Sequence, residues 1–218
     1  MTQLQEWLSQ HKVGVSIFLV WLFNISGIIG ISAGYGDWFL PKTPITLGLN
    51  FVLLLWNFPP KNTKVFLLWF AAFAIGMFVE IIGVKYGFLF GEYYYGENLG
   101  IKIMGVPILI GINWAVLTFM TSVISHHLFK GHWAYLLVAA FLMVFLDFFI
   151  EPNAPVFDFW YWPNGHAPLR NYIAWYVIAF LLHVMVRKEV AEKDYKVPLH
   201  IFVTQLVFFA VFYLINHH

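Results

Sequence analysis

Asp147 and Glu151 stand four positions apart at the foot of an apolar run, in the stretch DFFIEPNAPVFDFWYWPNGHAPLRNYIAW that ends at Trp175. On a helix that spacing puts both carboxyls on one face. Pro152 then stops or bends the helix. Phe157, Phe159, Trp160, Tyr161 and Trp162 form an aromatic belt ahead of Asn171. An ionisable group at the end of a membrane helix is costly unless it is paired, wet or used. Used, two carboxyls beside an apolar, aromatic cavity could protonate something greasy, because burial and a neighbouring carboxylate both keep a carboxyl protonated toward neutral pH. Paired, they would make a capped helix end held by Arg170. Glu80 lies near the end of another apolar run. It belongs to the same cavity, or it snorkels to water as an interfacial carboxylate.

A second stretch, KYGFLFGEYYYGENLGIKIMGVP from Lys85 to Pro107, is rich in Tyr and Gly. Tyr93, Tyr94 and Tyr95 read either as an interfacial aromatic belt or as part of a re-entrant lid over a lipid-like substrate. Such a lid is tolerated at membrane depth only where protein or a wet cavity covers its backbone. Asn113 and Trp114 follow on the next apolar segment, where a lone Asn often serves only a helix–helix hydrogen bond. SHHLFKGH supplies His126, His127 and His132. Imidazole is a common metal ligand, yet loop histidines facing lipid headgroups are the plainer reading, and no metal site is expected. A rhodopsin-like retinal site would need a Lys inside the last apolar segment, and Pro198 to Ile215 holds none.

These residues are carried by a chain of 218 residues that is 61% hydrophobic, 21% aromatic and only 11% charged. A soluble domain would be about a quarter charged, so the chain reads as an integral membrane protein. The net charge of +1 gives no reason to expect nucleic acid, and the lack of cysteine excludes disulfides, thiolate metal sites and a Cys nucleophile. A span needs about 20 apolar residues. Seven segments qualify or nearly do: Val13 to Ile31, Thr43 to Phe58, Val65 to Val84, Gly105 to Ile124, Trp133 to Ile150, Asn171 to Val186 and Pro198 to Ile215. The second and sixth are short. The first reads as a retained helix rather than a cleaved leader. No internal repeat or linker is visible, so one all-α domain over residues 1–218 is expected.

Lys and Arg orient the bundle. Lys12, Lys61, Lys64, Lys130, Arg187, Lys188, Lys193 and Lys196 fall on the amino-terminal side, against Lys42, Lys85, Lys102 and Arg170 on the other. The expected amino terminus is cytoplasmic and the carboxyl terminus external, in the inner membrane. Asp37, Glu80, Glu92, Glu97, Asp147, Glu151 and Asp158 then share the external side. His126, His127, His132, His183 and His200 lie toward the cytoplasm, and His217 and His218 read as a tail.

The spacing of Phe90-Gly91, Tyr93, Tyr95, Leu99-Gly100, Gly105-Val106-Pro107 and Trp114 resembles the carotenoid biosynthesis membrane family. So does the second block of Asp147, Glu151-Pro152, Ala154, Trp160, Trp162, Asn171 and Trp175. The family's characterised members include the carotenoid 1,2-hydratases, such as γ-carotene hydratase and bisanhydrobacterioruberin hydratase. Ala174 departs from the Gly expected there, and the Pro168 to Arg170 approach is looser than the family pattern. The resemblance spans about Lys64 to Val186. It implies addition of water across the terminal C1=C2 bond of an acyclic ψ end group, on a lycopene- or γ-carotene-like substrate. Asp147, Glu151 or Glu80 would be the acid. Tyr93, Tyr95, Asn113, Trp114, Trp160, Trp162, Asn171 and Trp175 would form the substrate site, with no cofactor. Membrane lipid and other carotenoid-synthesis enzymes are the expected neighbours. Membrane di-iron hydroxylases or ketolases would need HxxxH and HxxHH boxes that the sequence lacks. A carotenoid cyclase, a lipid or proton carrier, and a non-catalytic subunit stay open.

Overall fold

The computed structural model describes residues 3–129, 132–190 and 193–217, so Lys130 and His218 lie outside the described residues. Seven long helices account for the apolar segments: α1 (Gln3–Ser32), α3 (Thr43–Asn57), α4 (Thr63–Tyr86), α5 (Ile108–Leu128), α6 (Tyr135–Ile150), α7 (Leu169–Val186) and α8 (Lys196–His217). A short α2 (Gly36–Phe39) and a 3₁₀ turn (Leu40–Lys42) lead into α3. Among the described residues six helical stretches are long and apolar enough to cross a membrane, and α6, at 16 residues, is the shorter seventh. The all-α polytopic bundle expected from the sequence is therefore observed.

The short members of the set differ from expectation. The second apolar stretch runs as one 22-residue unit over Gly36–Asn57. Pro41 and Pro44 sit in the first turns of their helices, where the missing N–H costs nothing and the fixed φ favours helix. The shortest candidate span is instead α6, whose 16 residues at about 1.5 Å each rise roughly 24 Å. It ends at Ile150, immediately before Glu151 and Pro152. Other boundaries have local causes. The Asn62 side chain accepts a hydrogen bond from the Val65 N–H and caps α4, which closes on Gly87 at φ +65°. Pro107 and Pro168 precede α5 and α7.

α5 is buried along most of its length and packs against α3, α4, α6, α7 and α8. The α4–α5 crossing is close because it is built on glycine. A Cβ on Gly76 would lie 2.5 Å from the Trp114 Cβ, and one on Gly111 would meet Met77. Small residues of this kind let membrane helices approach. Trp69 and Phe119 stack across the same crossing at 3.9 Å. The outer surface of the bundle is apolar, with Phe18, Phe70, Phe78 and Leu181 more than half exposed.

The helix ends that carry the acidic residues are tied by two small ladders. β1 (Tyr94–Tyr95) pairs antiparallel with β4 (Trp160–Tyr161), and β2 (Lys102–Ile103) pairs with β3 (Val106–Pro107). The first ladder joins the loop after α4 to the loop after α6. Asp158, at φ +55°, pins it: its carboxylate accepts the Glu97 N–H at 2.9 Å and the Tyr161 hydroxyl at 2.8 Å.

Candidate active site

Glu80, Asp147 and Glu151 are buried and line one cavity of about 60 Å³ at the end of the bundle where α4 and α6 finish and α5 and α7 begin. The i, i+4 spacing on α6 survives its end, because the Glu151 N–H donates to the Asp147 carbonyl at 2.9 Å. The two carboxyls therefore face the same side, as the spacing requires. Glu80 enters from α4 in this shared cavity and is not an interfacial carboxylate. Arg170 pairs with none of the three. It lines a separate polar recess with Glu92 and His166, on the far side of Trp162. Among the described residues Lys64 pairs with Glu189 and Lys102 with Glu97, and neither pair includes a residue that lines the cavity.

The three carboxyls are held differently. Glu80 accepts from the Tyr93 and Tyr95 hydroxyls on Oε2, at 2.5 and 2.8 Å, and from the Trp114 indole N–H on Oε1 at 2.9 Å. Glu151 accepts the Trp160 and Trp162 indole N–H groups on Oε2, at 3.0 and 2.7 Å, and the Asn171 amide on Oε1 at 3.2 Å. Asp147 meets the Asn171 amide at 3.5 Å and no other hydrogen-bond donor, a contact at the outer limit for a hydrogen bond. An indole N–H can only donate. A proton on Glu151 Oε2 would collide with two such donors, whereas a proton on Asp147 displaces none.

Burial pushes the Glu151 carboxyl up to about 7, with the two indole N–H groups pulling the other way and the Glu80 charge adding to the rise. Burial, and then the Glu80 charge, raise Tyr93 and Tyr95 well above the ordinary phenol range, so both remain O–H donors.

Aromatic rings close the space. Tyr93 lies 5.0 Å from Trp162 and 5.6 Å from Tyr95, and Tyr95 lies 6.2 Å from Trp160. The Tyr95–Trp160 neighbourhood follows from the β1–β4 register, where those two residues are partners. The loop after α4 folds down as a lid, with Phe90, Tyr93, Tyr95 and Leu99 buried. Gly83 leaves room for it, since a Cβ there would meet Phe90 at 2.5 Å and the Tyr93 hydroxyl at 2.7 Å. Of the substrate-site residues expected from the sequence, Tyr93, Tyr95, Asn113, Trp160, Trp162, Asn171 and Trp175 line the cavity. Trp114 does not. It stacks on Trp175 at 4.1 Å and reaches the site only through its N–H on Glu80.

Phe159, from the aromatic belt ahead of Asn171, also lines the cavity, and sequence reading missed Gln205 and Phe209 of α8 and Leu47 of α3 as wall residues. Gln205 had a signal, a lone amide within an apolar helix. The others are ordinary apolar residues without one. Among the described residues the Gln205 Oε1 is buried without a partner, and Asn113 presents its amide to the same cavity. The histidines form no metal group, and no cluster of three or more His, Asp or Glu with metal-holding geometry occurs among the described residues. His183 is buried between Ser122, at 2.9 Å, and Thr121, at 3.3 Å. His200 accepts the Trp21 indole N–H, and His127 stacks on Tyr195.

The profile of the family described as carotenoid biosynthesis protein matches residues 45–217. That range contains every cavity residue named above. No curated protein and no solved structure matches the chain.

Proposed function

Because the chain belongs to the carotenoid biosynthesis protein family, we propose that it is a carotenoid hydratase that adds water across the terminal C1=C2 bond of an acyclic ψ end group. The observation that carries this reading is an aromatic cavity holding three carboxyls, one of them almost free of donors, together with the amide of Asn113 and a Gln205 Oε1 that has no partner among the described residues. A volume of about 60 Å³ has room for roughly four waters, at about 15 Å³ each, or for the branched tip of an alkene.

A trisubstituted alkene is a very weak base, so the reaction begins with proton delivery to C2. The Asp147 carboxyl gives its proton to the π pair, which becomes the new C2–H bond and leaves a tertiary cation at C1. The faces of Tyr93, Trp160, Trp162 and Trp175 stabilise that cation by about 1–2 kcal/mol each where water is excluded. A water held by Asn113, Asn171 or Gln205 forms the C1–O bond. Its surplus proton returns to the Asp147–Glu151 pair, which ends the cycle with the proton it began with. The sum is alkene plus one water, with no change of oxidation state overall.

A cyclase would use the same first step and then let an internal alkene capture the cation. It would have no use for an unpartnered amide oxygen at the capture site, and this favours the hydratase. The orientation given by Lys and Arg puts the cavity on the external side of the inner membrane. Expression in a lycopene-accumulating host, followed by mass spectrometry of the pigments, tests the proposal. The hydrate is heavier by one water, a cyclised product has unchanged mass, and a carrier or non-catalytic subunit leaves lycopene as it was.

A further inference from the structure

A groove of about 380 Å³ lies between α1, α3 and α8, within the range of small-molecule sites, roughly 300–1,000 Å³. It adjoins the acid cavity, since Leu47, Phe159, Gln205 and Phe209 line both. Its outer wall is open between Leu22 and Ile45, which are 44% and 59% exposed on the apolar surface. One rim carries Trp38 with the Lys42 ammonium 3.5 Å over its ring.

Two features of this groove are unexplained by packing. The acid cavity holds only the tip of an alkene, so the remainder of any long substrate must leave it, and the groove lies directly across the wall that the two spaces share. The groove also contains Asn50, 1% exposed on an apolar helix with both its amide oxygen and its amide nitrogen unpartnered, and the unpartnered Oε1 of Gln205. A buried amide left without partners is costly, and a group that both donates and accepts would satisfy it.

Resting on the hydratase reading above, we infer that the groove is the berth of the substrate's long isoprenoid chain, and that Asn50 and Gln205 bind an O–H group there. The chain lies from the apolar surface past Leu47 and Phe209, with its reacting end in the acid cavity. The O–H group is either the tertiary hydroxyl of the product as its end withdraws, or a water that accompanies the chain. Gln205, common to both spaces, passes the hydroxyl from the reaction site to Asn50.

The test is binding, measured by quenching of tryptophan fluorescence with purified protein in nanodiscs and read independently of turnover. The probes are lycopene and its doubly hydrated derivative. Thr46→Trp fills the groove from α3 and Ser26→Trp fills it from α1, and each should weaken lycopene binding at least tenfold. Lycopene affinity unchanged in both variants, with both monodisperse, overturns the berth. Asn50→Leu should weaken the hydrated pigment about tenfold. Lycopene spared by Asn50→Leu identifies the product hydroxyl as the bound group, and equal loss of both identifies the accompanying water. No loss of either overturns the role of the amides. Tight lycopene binding abolished by the groove-filling variants, together with an absence of any hydrated product from the wild type, would leave the berth standing and remove the hydratase.

Discussion

Asp147 is set apart from the two glutamates by what it lacks. Glu80 and Glu151 each accept three hydrogen bonds, while Asp147 has one contact, at 3.5 Å. Asn has nearly the shape of Asp but no useful proton, so Asp147→Asn should lower hydration by about 10²–10⁴-fold with insertion and folding intact. Yield of hydrated pigment per unit of folded protein measures it. Trp160→Leu or Trp162→Leu should slow the reaction only in part, since each ring supplies a share of cation stabilisation. The pH dependence follows from Glu151, whose carboxyl burial raises from an ordinary 4.5 to about 7. A raised value means that the fold favours the neutral form; the stability this brings is full below about 4.5 and is lost as pH rises through about 7. With the pair's proton on Asp147, the Glu151 carboxylate is the group free to take the proton of the attacking water, so the rate should be level above about 7 and fall below it. Glu151→Gln should abolish or move that falling limb in a pH–rate profile of the purified protein. A limb that stays in place would assign it to another group. The pairing of Asp147 with Glu151 was legible from their spacing. The contrast among the three carboxyls was not, because it depends on donors from four separate segments.

At the scale of elements, helices were legible, and the lid was one of two readings of the Tyr- and Gly-rich loop, but the ladder that ties the lid was not legible. Long apolar runs bounded by Pro, Asn and Gly announce most helices within a few residues of where they occur, whereas α1 begins at Gln3, well before the expected Val13. The β1–β4 ladder has two residues a side, too few to show alternation, and its partners are remote in sequence. Asp158 tests its importance. Asp158→Ala removes both hydrogen bonds and places Ala at φ +55°, whereas Asn tolerates that conformation and keeps an acceptor. Asp158→Ala should therefore destabilise the protein by about 1–3 kcal/mol and depress activity, and Asp158→Asn should do markedly less. Thermal unfolding in detergent compares them; equal midpoints for the two variants would show that the lid does not depend on this residue. Gly76 makes the corresponding point for the α4–α5 crossing. Gly76→Val would push Trp114 away, and with it the N–H held by Glu80.

For the molecule as a whole, composition was enough to establish a polytopic helical bundle, because 61% hydrophobic residues with 11% charged cannot be buried in a soluble domain of this size. Composition could not show that acidic residues from α4 and α6 converge, since convergence depends on α5 packing at the centre and drawing its neighbours onto one end. The distribution of Lys and Arg predicts that a reporter fused after Arg187 is cytoplasmic and that one in the Glu92 loop is external, and the opposite labelling would reverse the faces. The chemistry has a more direct test. Purified protein in nanodiscs is supplied with lycopene in water labelled with heavy oxygen, and the pigments are analysed by mass spectrometry. The account predicts a product that carries one labelled hydroxyl for each ψ end converted, made by the wild type without any other protein and lost in Asp147→Asn. A ring-closed product of unchanged mass, or labelled hydrate formed as well by Asp147→Asn as by the wild type, would contradict it.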